Sequence, residues 1–193
     1  MVRAGKNLTR PEVEHRRPLH QQRNFADDAR FGRALRKLVS NPRTSWDIAT
    51  IIINDCLDKL PDSAIQKIYD NMSTGGTKLA SRQATQLFVV GYITKKILAD
   101  ALLSVAISRI TRMSVGAIAG GLVIQGMIAR ASEASRRLLN DNPRLYWKLR
   151  HQDFDMLYFL FEGMLKPYIQ LSRMHHAGDG RFEQVLNEIE RMG

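Results

Sequence analysis

Met113-Ser-Val-Gly-Ala-Ile-Ala-Gly-Gly-Leu-Val-Ile-Gln-Gly-Met-Ile-Ala129 carries no charged side chain and is bracketed by Arg112 and Arg130. As a helix this run reaches roughly 25 Å, a little short of the ~30 Å hydrocarbon core of a bilayer. Its length therefore fits two settings: a fully buried central helix, or a helix that meets lipid. Gly116 and Gly120 are four residues apart, with Ala117 and Gly121 beside them and Gly126 farther on. That spacing lines one helical face with small side chains and lets another helix approach closely, as membrane helices do. Glycine costs ~1 kcal/mol per residue in a water-exposed helix, so a group of them points to packing or refolding.

Upstream, residues 79 to 111 predict one long helix, interrupted only by Lys95, Lys96 and Asp100 as strongly polar side chains. Arg109, Thr111, Arg112 and Ser114 then form a polar joint before the uncharged run. The centre reads as an apolar helical hairpin, with Val115, Gly116, Ile118, Gly120, Gly121, Leu122, Ile124 and Gly126 as its membrane-inserting or buried-interface residues. Lys95, Lys96 and Asp100 would be costly at mid-bilayer, which weighs for burial inside a soluble bundle.

The flanks are also helical in pattern. Phe31, Ala34, Leu35, Leu38 and Val39 make one stripe that ends at Asn41-Pro42. Thr44 and Asp47 offer caps for a helix carrying Ile48, Ile51, Ile52, Leu57 and Leu60. Asp62 or Ser63 caps another with Ile65, Ile68, Tyr69 and Met72. Asn142-Pro143 opens an aromatic-rich helical segment running to Leu171, in which Pro167 should kink or end the helix. Asp179 caps a short terminal helix. Strand alternation is absent, so the expectation is an all-α bundle of about six or seven helices around the apolar hairpin. Residues 1 to 25, rich in arginine and without apolar period, are expected as a flexible basic arm, and residues 26 to 193 as a single helical domain.

Charge narrows the partners. Lys and Arg total 29 against 19 acidic residues, a formal net charge of +10. An anionic membrane surface, an acidic protein partner or nucleic acid is therefore favoured. The surface-contact candidates are Arg3, Lys6, Arg10, Arg16, Arg17, Arg23, Arg109, Arg112, Arg130, Arg136 and Arg137. Nucleic acid ranks behind the other two, because no finger, basic zipper or aromatic-basic strand pattern accompanies the charge. Cys56 alone cannot form an intramolecular disulfide, which fits a reducing compartment. The first residues lack the apolar core of a secretory signal. The expected setting is thus the cytoplasm, or export by a specialised route.

Catalytic chemistry finds little support. Gly75-Gly76-Thr77-Lys78 follows a helix rather than a buried strand and lacks the glycine frame of a phosphate loop. His175 and His176 are adjacent and point apart on a helix, so no metal site is expected, and no cofactor. Asp55 and Asp58 share a helical face and read as solvated or charge-balancing, whereas Asp153 and Asp155 should face different sides. Nothing forms a nucleophile, base and orienter set, so the chain is not expected to be an enzyme.

Residues 87 to 129, flanked by charged amphipathic helices and a basic arm, resemble in architecture the helical pore-forming domains of colicin-type bacterial toxins. No motif of that family is matched. The resemblance implies a membrane-active toxin or effector whose soluble form buries the hairpin, docks through cations and then inserts. The rival is a helical interaction or adaptor protein that forms a homo-oligomer or binds an acidic partner, and the third class is a nucleic-acid-binding protein.

Overall fold

The computed structural model describes residues 16–73, 79, 81–115, 121–177, 181, 184 and 187. Its side chains are described from residue 26 onward, except at 101, 102, 104, 111, 113–115, 121–123 and 171–177. The described residues are all-helical and contain no strand. The order is α1 (Arg16–Ser40), α2 (Arg43–Leu57), α3 (Asp62–Met72), α4 (Arg82–Ala99), α5 (Ala101–Val115), α6 (Gly121–Asp141) and α7 (Pro143–Arg150). A 3-10 helix (Phe154–Leu160) and α8 (Glu162–Ala177) follow.

Two breaks raise the helix number above the expected six or seven. The long helix expected over 79 to 111 is interrupted at Asp100, which is extended (φ −62°, ψ 127°). Its carboxylate Oδ1 accepts a hydrogen bond from the Leu103 amide at 3.3 Å, so Asp100 caps α5 rather than interrupting a helix face. The second break divides the aromatic-rich segment. Asp153 adopts a left-handed conformation (φ 62°), which a short carboxylate tolerates better than most side chains, and it separates α7 from the 3-10 helix. Beyond it, α8 runs past Pro167 to Ala177.

Helix starts follow local hydrogen bonding more than the expected caps. Thr44 does not cap α2; its hydroxyl donates to the Lys37 carbonyl at 3.0 Å. Asn41 Oδ1 instead accepts from the Arg43 amide at 2.9 Å. Asp62 is the first residue of α3, after Pro61, which provides no side-chain cap. Ser81 accepts from the Ala84 amide to cap α4, and Asn142 accepts from the Leu145 amide to cap α7, with Pro143 just inside as expected.

Helix α1 begins at Arg16, inside the stretch expected as a flexible arm, so Arg16, Arg17 and Arg23 belong to a helix. Those residues have no apolar period, but arginine, glutamine and leucine extend an already nucleated helix at little cost. Arg3, Lys6 and Arg10 lie outside the described residues, as do Gly75-Gly76-Thr77-Lys78 and Asp179.

Helix α2 is the core element: Ile48, Ala49, Ile52, Ile53, Cys56 and Leu57 are all buried. It packs on α1, α4, α7 and α8, while α3 packs on α4. Opposite, the 3-10 helix buries Phe154, Met156, Leu157 and Tyr158 against α1, α5, α6, α7 and α8. Each fully buried aliphatic side chain contributes about 1.5–3 kcal/mol relative to exposure. The core therefore lies between α2 and the 3-10 helix. The described part of the uncharged run lies nearer the surface: Ile124, Met127 and Ile128 are half-buried, and Gln125, Gly126 and Ala129 are exposed.

Candidate functional site

Between Asp100 and Glu133 the sequence has no acidic residue and three basic ones, Arg109, Arg112 and Arg130. Helical period divides α5 into two faces. Leu103 and Ile110 are buried and Ile107 packs on the core, whereas Val105, Ser108, Arg109 and Arg112 point to solvent. The outward set has the i, i+3, i+4, i+7 spacing of one helix face. On α6 the outward residues are Gln125, Gly126, Ala129 and Arg130, followed by Glu133, Arg136 and Arg137.

Among the expected surface contacts, Arg109, Arg112, Arg130 and Arg136 are exposed and form no ion pair with a described residue. Arg137 differs. It pairs with Glu133 at 2.8 Å and with Glu162 on α8 at 2.8 Å, so its charge is already engaged. The Glu162 hydrogen bond holds the Arg137 guanidinium above its ordinary pKa. Arg136 borders a cleft of about 500 Å³ between α1 and α6, also lined by Asp27, Asp28, Ile128 and Ser132.

The hairpin candidates are only partly placed. Gly116, Ile118 and Gly120 lie outside the described residues. The backbones of Val115, Gly121 and Leu122 are helical, at the end of α5 and the start of α6. Ile124 is half-buried. Gly126 is exposed, and a methyl group added there would meet no heavy atom within 4 Å. At Gly126 the small side chain therefore does not serve close helix packing.

Two buried carboxylates organise the rest; charge-balancing was one of the two readings expected of Asp55, but burial was expected of neither. Asp55 on α2 is fully buried rather than solvated. It receives Lys59 Nζ and Lys148 Nζ at 2.8 Å each and Asn142 Nδ2 at 2.9 Å, with Arg144 Nε at 3.8 Å. Burial pushes its pKa up, but the hydrogen bonds from Lys148, Lys59 and Asn142 outweigh burial and hold it below the usual carboxylate range.

Asp155, in the 3-10 helix, is the second. Its Oδ2 accepts from Arg30 Nη2 on α1 and, at 2.5 Å, from Ser135 Oγ on α6, while Arg150 Nη1 on α7 lies 3.8 Å away. Oδ1 is buried and accepts no hydrogen bond. Asp153 does not face a different side: it meets the same guanidinium (Arg30 Nε, 3.3 Å) and Arg33 Nε at 2.8 Å. Burial alone would lower the Arg30 pKa, but Asp155 and Asp27 hold it above its ordinary value. The turn at Asp153 brings these two carboxylates together, an arrangement a continuous helix would forbid.

Among the described residues no group of three metal-ligating side chains forms, and no helix is long and apolar enough to cross a membrane. Ser135 and Asp155 are both buried, and among the described residues no histidine hydrogen-bonds or ion-pairs with either. The buried charges are thus built to hold helices together, which leaves the acid-free outer face of α5 and α6 as the candidate site. No family model, curated protein or solved structure matches the chain.

Proposed function

We propose that the protein is membrane-active, docking on an anionic bilayer through the acid-free segment between Asp100 and Glu133. The observation that carries this is the pairing of unneutralised, exposed Arg109, Arg112 and Arg130 with an uncharged apolar run on one continuous stretch of chain. Each such arginine near an anionic surface contributes about 1 kcal/mol of attraction. In this proposal α5 and the first half of α6 are the arms of an apolar hairpin at the edge of the bundle rather than at its centre. Ile124, Met127 and Ile128 exchange protein contacts for the headgroup–acyl boundary.

The test is co-sedimentation of the purified protein with phosphatidylglycerol-containing vesicles and with purely zwitterionic ones, together with dye release. Binding to the anionic vesicles alone, weakened by salt, followed by leakage, is the expected result. Failure to bind anionic vesicles at low salt would overturn it.

A second reading is an interaction protein, supported by Leu87 at 73% exposed on α4, next to Phe88, which stays 42% exposed although Tyr69 of α3 packs edge-on against its ring. A stable dimer or larger assembly in light scattering, without vesicle binding, would favour that reading.

A further inference from the structure

Helix α4 carries apolar residues on two opposite faces. Val89, Val90, Ile93 and Ile97 are buried in the core. Facing the other way, Ala84, Leu87, Phe88, Gly91, Lys95 and Leu98 form one stripe at i, i+3, i+4, i+7, i+11 and i+14. A surface helix needs a single apolar stripe to dock on its core, so a second one turned outward marks a contact surface. Tyr69 of α3 covers one flank of this stripe, edge-on to Phe88 at 5.1 Å. Leu87 stays exposed, and a methyl group added at Gly91 would meet no heavy atom within 4 Å.

We propose that this stripe is the seam of a two-fold homodimer, in which α4 packs antiparallel against α4 of a second copy of the chain. This deepens the interaction reading, on which it rests, and does not depend on vesicle binding.

The stripe is self-complementary in shape. Ala84, Gly91 and Leu98 recur every seven residues, the spacing at which two helices pack side by side, and the first two are small. With the two-fold axis at the level of Val89 and Val90, each Phe88 ring lies over the other copy's Gly91. The stem of each Lys95 then lies along the other copy's Ala84 with its ammonium in water. A large side chain meets a gap in both directions, as a closed two-fold contact requires.

Charge selects the occupant and its direction. Lys95 is the one charge on the stripe, and α4 contains no acidic residue. Arg82, at the start of the helix, is already paired with Asp62. An acidic helix would find a single cation here, whereas a second α4 is held by shape alone. In the antiparallel pair the two Lys95 backbones are offset by the length of helix from residue 84 to residue 95, roughly 16 Å. That is about two Debye lengths at physiological ionic strength, so their repulsion is screened. A parallel pair would instead set Lys95 against Lys95 and Phe88 against Phe88.

Sedimentation equilibrium of the full chain, without lipid or detergent, at about 1 to 100 µM, tests the seam. The wild type should approach the mass of two chains. Gly91→Leu fills the gap needed by the other copy's Phe88 while meeting nothing in its own chain. It should keep wild-type helix content and weaken the dimer at least tenfold. Leu87→Gln should weaken it as well. Gly163→Leu on α8 also adds a side chain into open space and should leave the dimer unchanged. Spin labels on Lys95→Cys read the direction, since Cys56 is buried away from the reagent. The labelled backbones should stand about 19 Å apart in the antiparallel pair, against about 10 Å in a parallel one. A wild type that is monomeric at about 100 µM would overturn the dimer and the interaction reading together. A dimer that survives both Gly91→Leu and Leu87→Gln would overturn the α4 seam and leave the interaction reading standing. A label separation of about 10 Å would overturn the antiparallel pairing.

Discussion

Asn142 Nδ2 donates to Asp55 Oδ2 at 2.9 Å while its Oδ1 accepts from the Leu145 amide at 3.2 Å. One side chain thus caps α7 and ties it to α2. Replacing Asn142 with Ala removes both bonds and leaves a buried carboxylate short of a donor. A loss of about 1–3 kcal/mol in urea unfolding is expected. An unchanged midpoint would mean that water takes over both roles.

Asp55 gives the acid limb of stability a definite sign. Its pKa is lowered in the folded state, so its contribution is present above the unfolded value of about 3.9 and is lost as pH falls through the folded one. Asp55→Asn should destabilise by about 1–3 kcal/mol at neutral pH, because Lys59, Lys148 and Asn142 lose a charged acceptor while the half-exposed lysines can turn to water. The variant's stability should also change less between about pH 5 and pH 2 than that of the wild type. Parallel acid limbs in thermal melts would refute the assignment.

Gly126 sits in an α6 turn with open space around it. Gly126→Ala should therefore stabilise the protein by about 0.4–1 kcal/mol, through a less flexible unfolded chain and better helix propensity. A destabilised variant would show that the small residue is needed for a helix contact after all.

Arg109→Gln, Arg112→Gln and Arg130→Gln together touch exposed side chains with no ion pair to a described residue, so unfolding stability should stay within about 0.5 kcal/mol of wild type. Partitioning to anionic vesicles should fall on the order of a hundredfold, at about 1 kcal/mol per arginine. Equal binding by wild type and triple variant would remove these three residues from the docking surface.

Ile52 is fully buried on α2, at the centre of the core. Ile52→Ala should cost about 2–5 kcal/mol, a combined loss of burial and of packing around the cavity. Denaturant unfolding measures this directly, and a cost below about 1 kcal/mol would mean the core lies elsewhere.

Helical content was legible because apolar residues recur at helical spacing through α1, α2 and α3, and Asn142-Pro143 is a start signal in its own right. The break at Asp100 was not. A lone carboxylate in an apolar stretch reads equally as a polar interruption or as a cap, and only the Leu103 amide distinguishes them. The buried clusters were hidden for a different reason. Asp55 draws on Asn142 and Lys148, 87 and 93 positions away, and Asp155 draws on Arg30, 125 positions away. A helical carboxylate looks the same in sequence whether water or a distant ammonium group satisfies it. Of the candidate site, the charge pattern was visible at once, since it is a property of the sequence. Its placement at the surface beside the core, with Arg137 tied to α8, needed the tertiary arrangement.

The short helix α7 behaves mechanically as a rivet. Asn142 at its start and Lys148 within it are anchored on Asp55, while Arg150 at its end reaches towards Asp155. Its eight residues span roughly 12 Å, so the two charge centres are joined by a rod too short to bend. Any sliding of α2 against the 3-10 helix must rupture one anchorage before the other can yield. Shear across the middle of the molecule is thereby suppressed, and compliance is displaced outward, to the edges where α1 and α5 are attached.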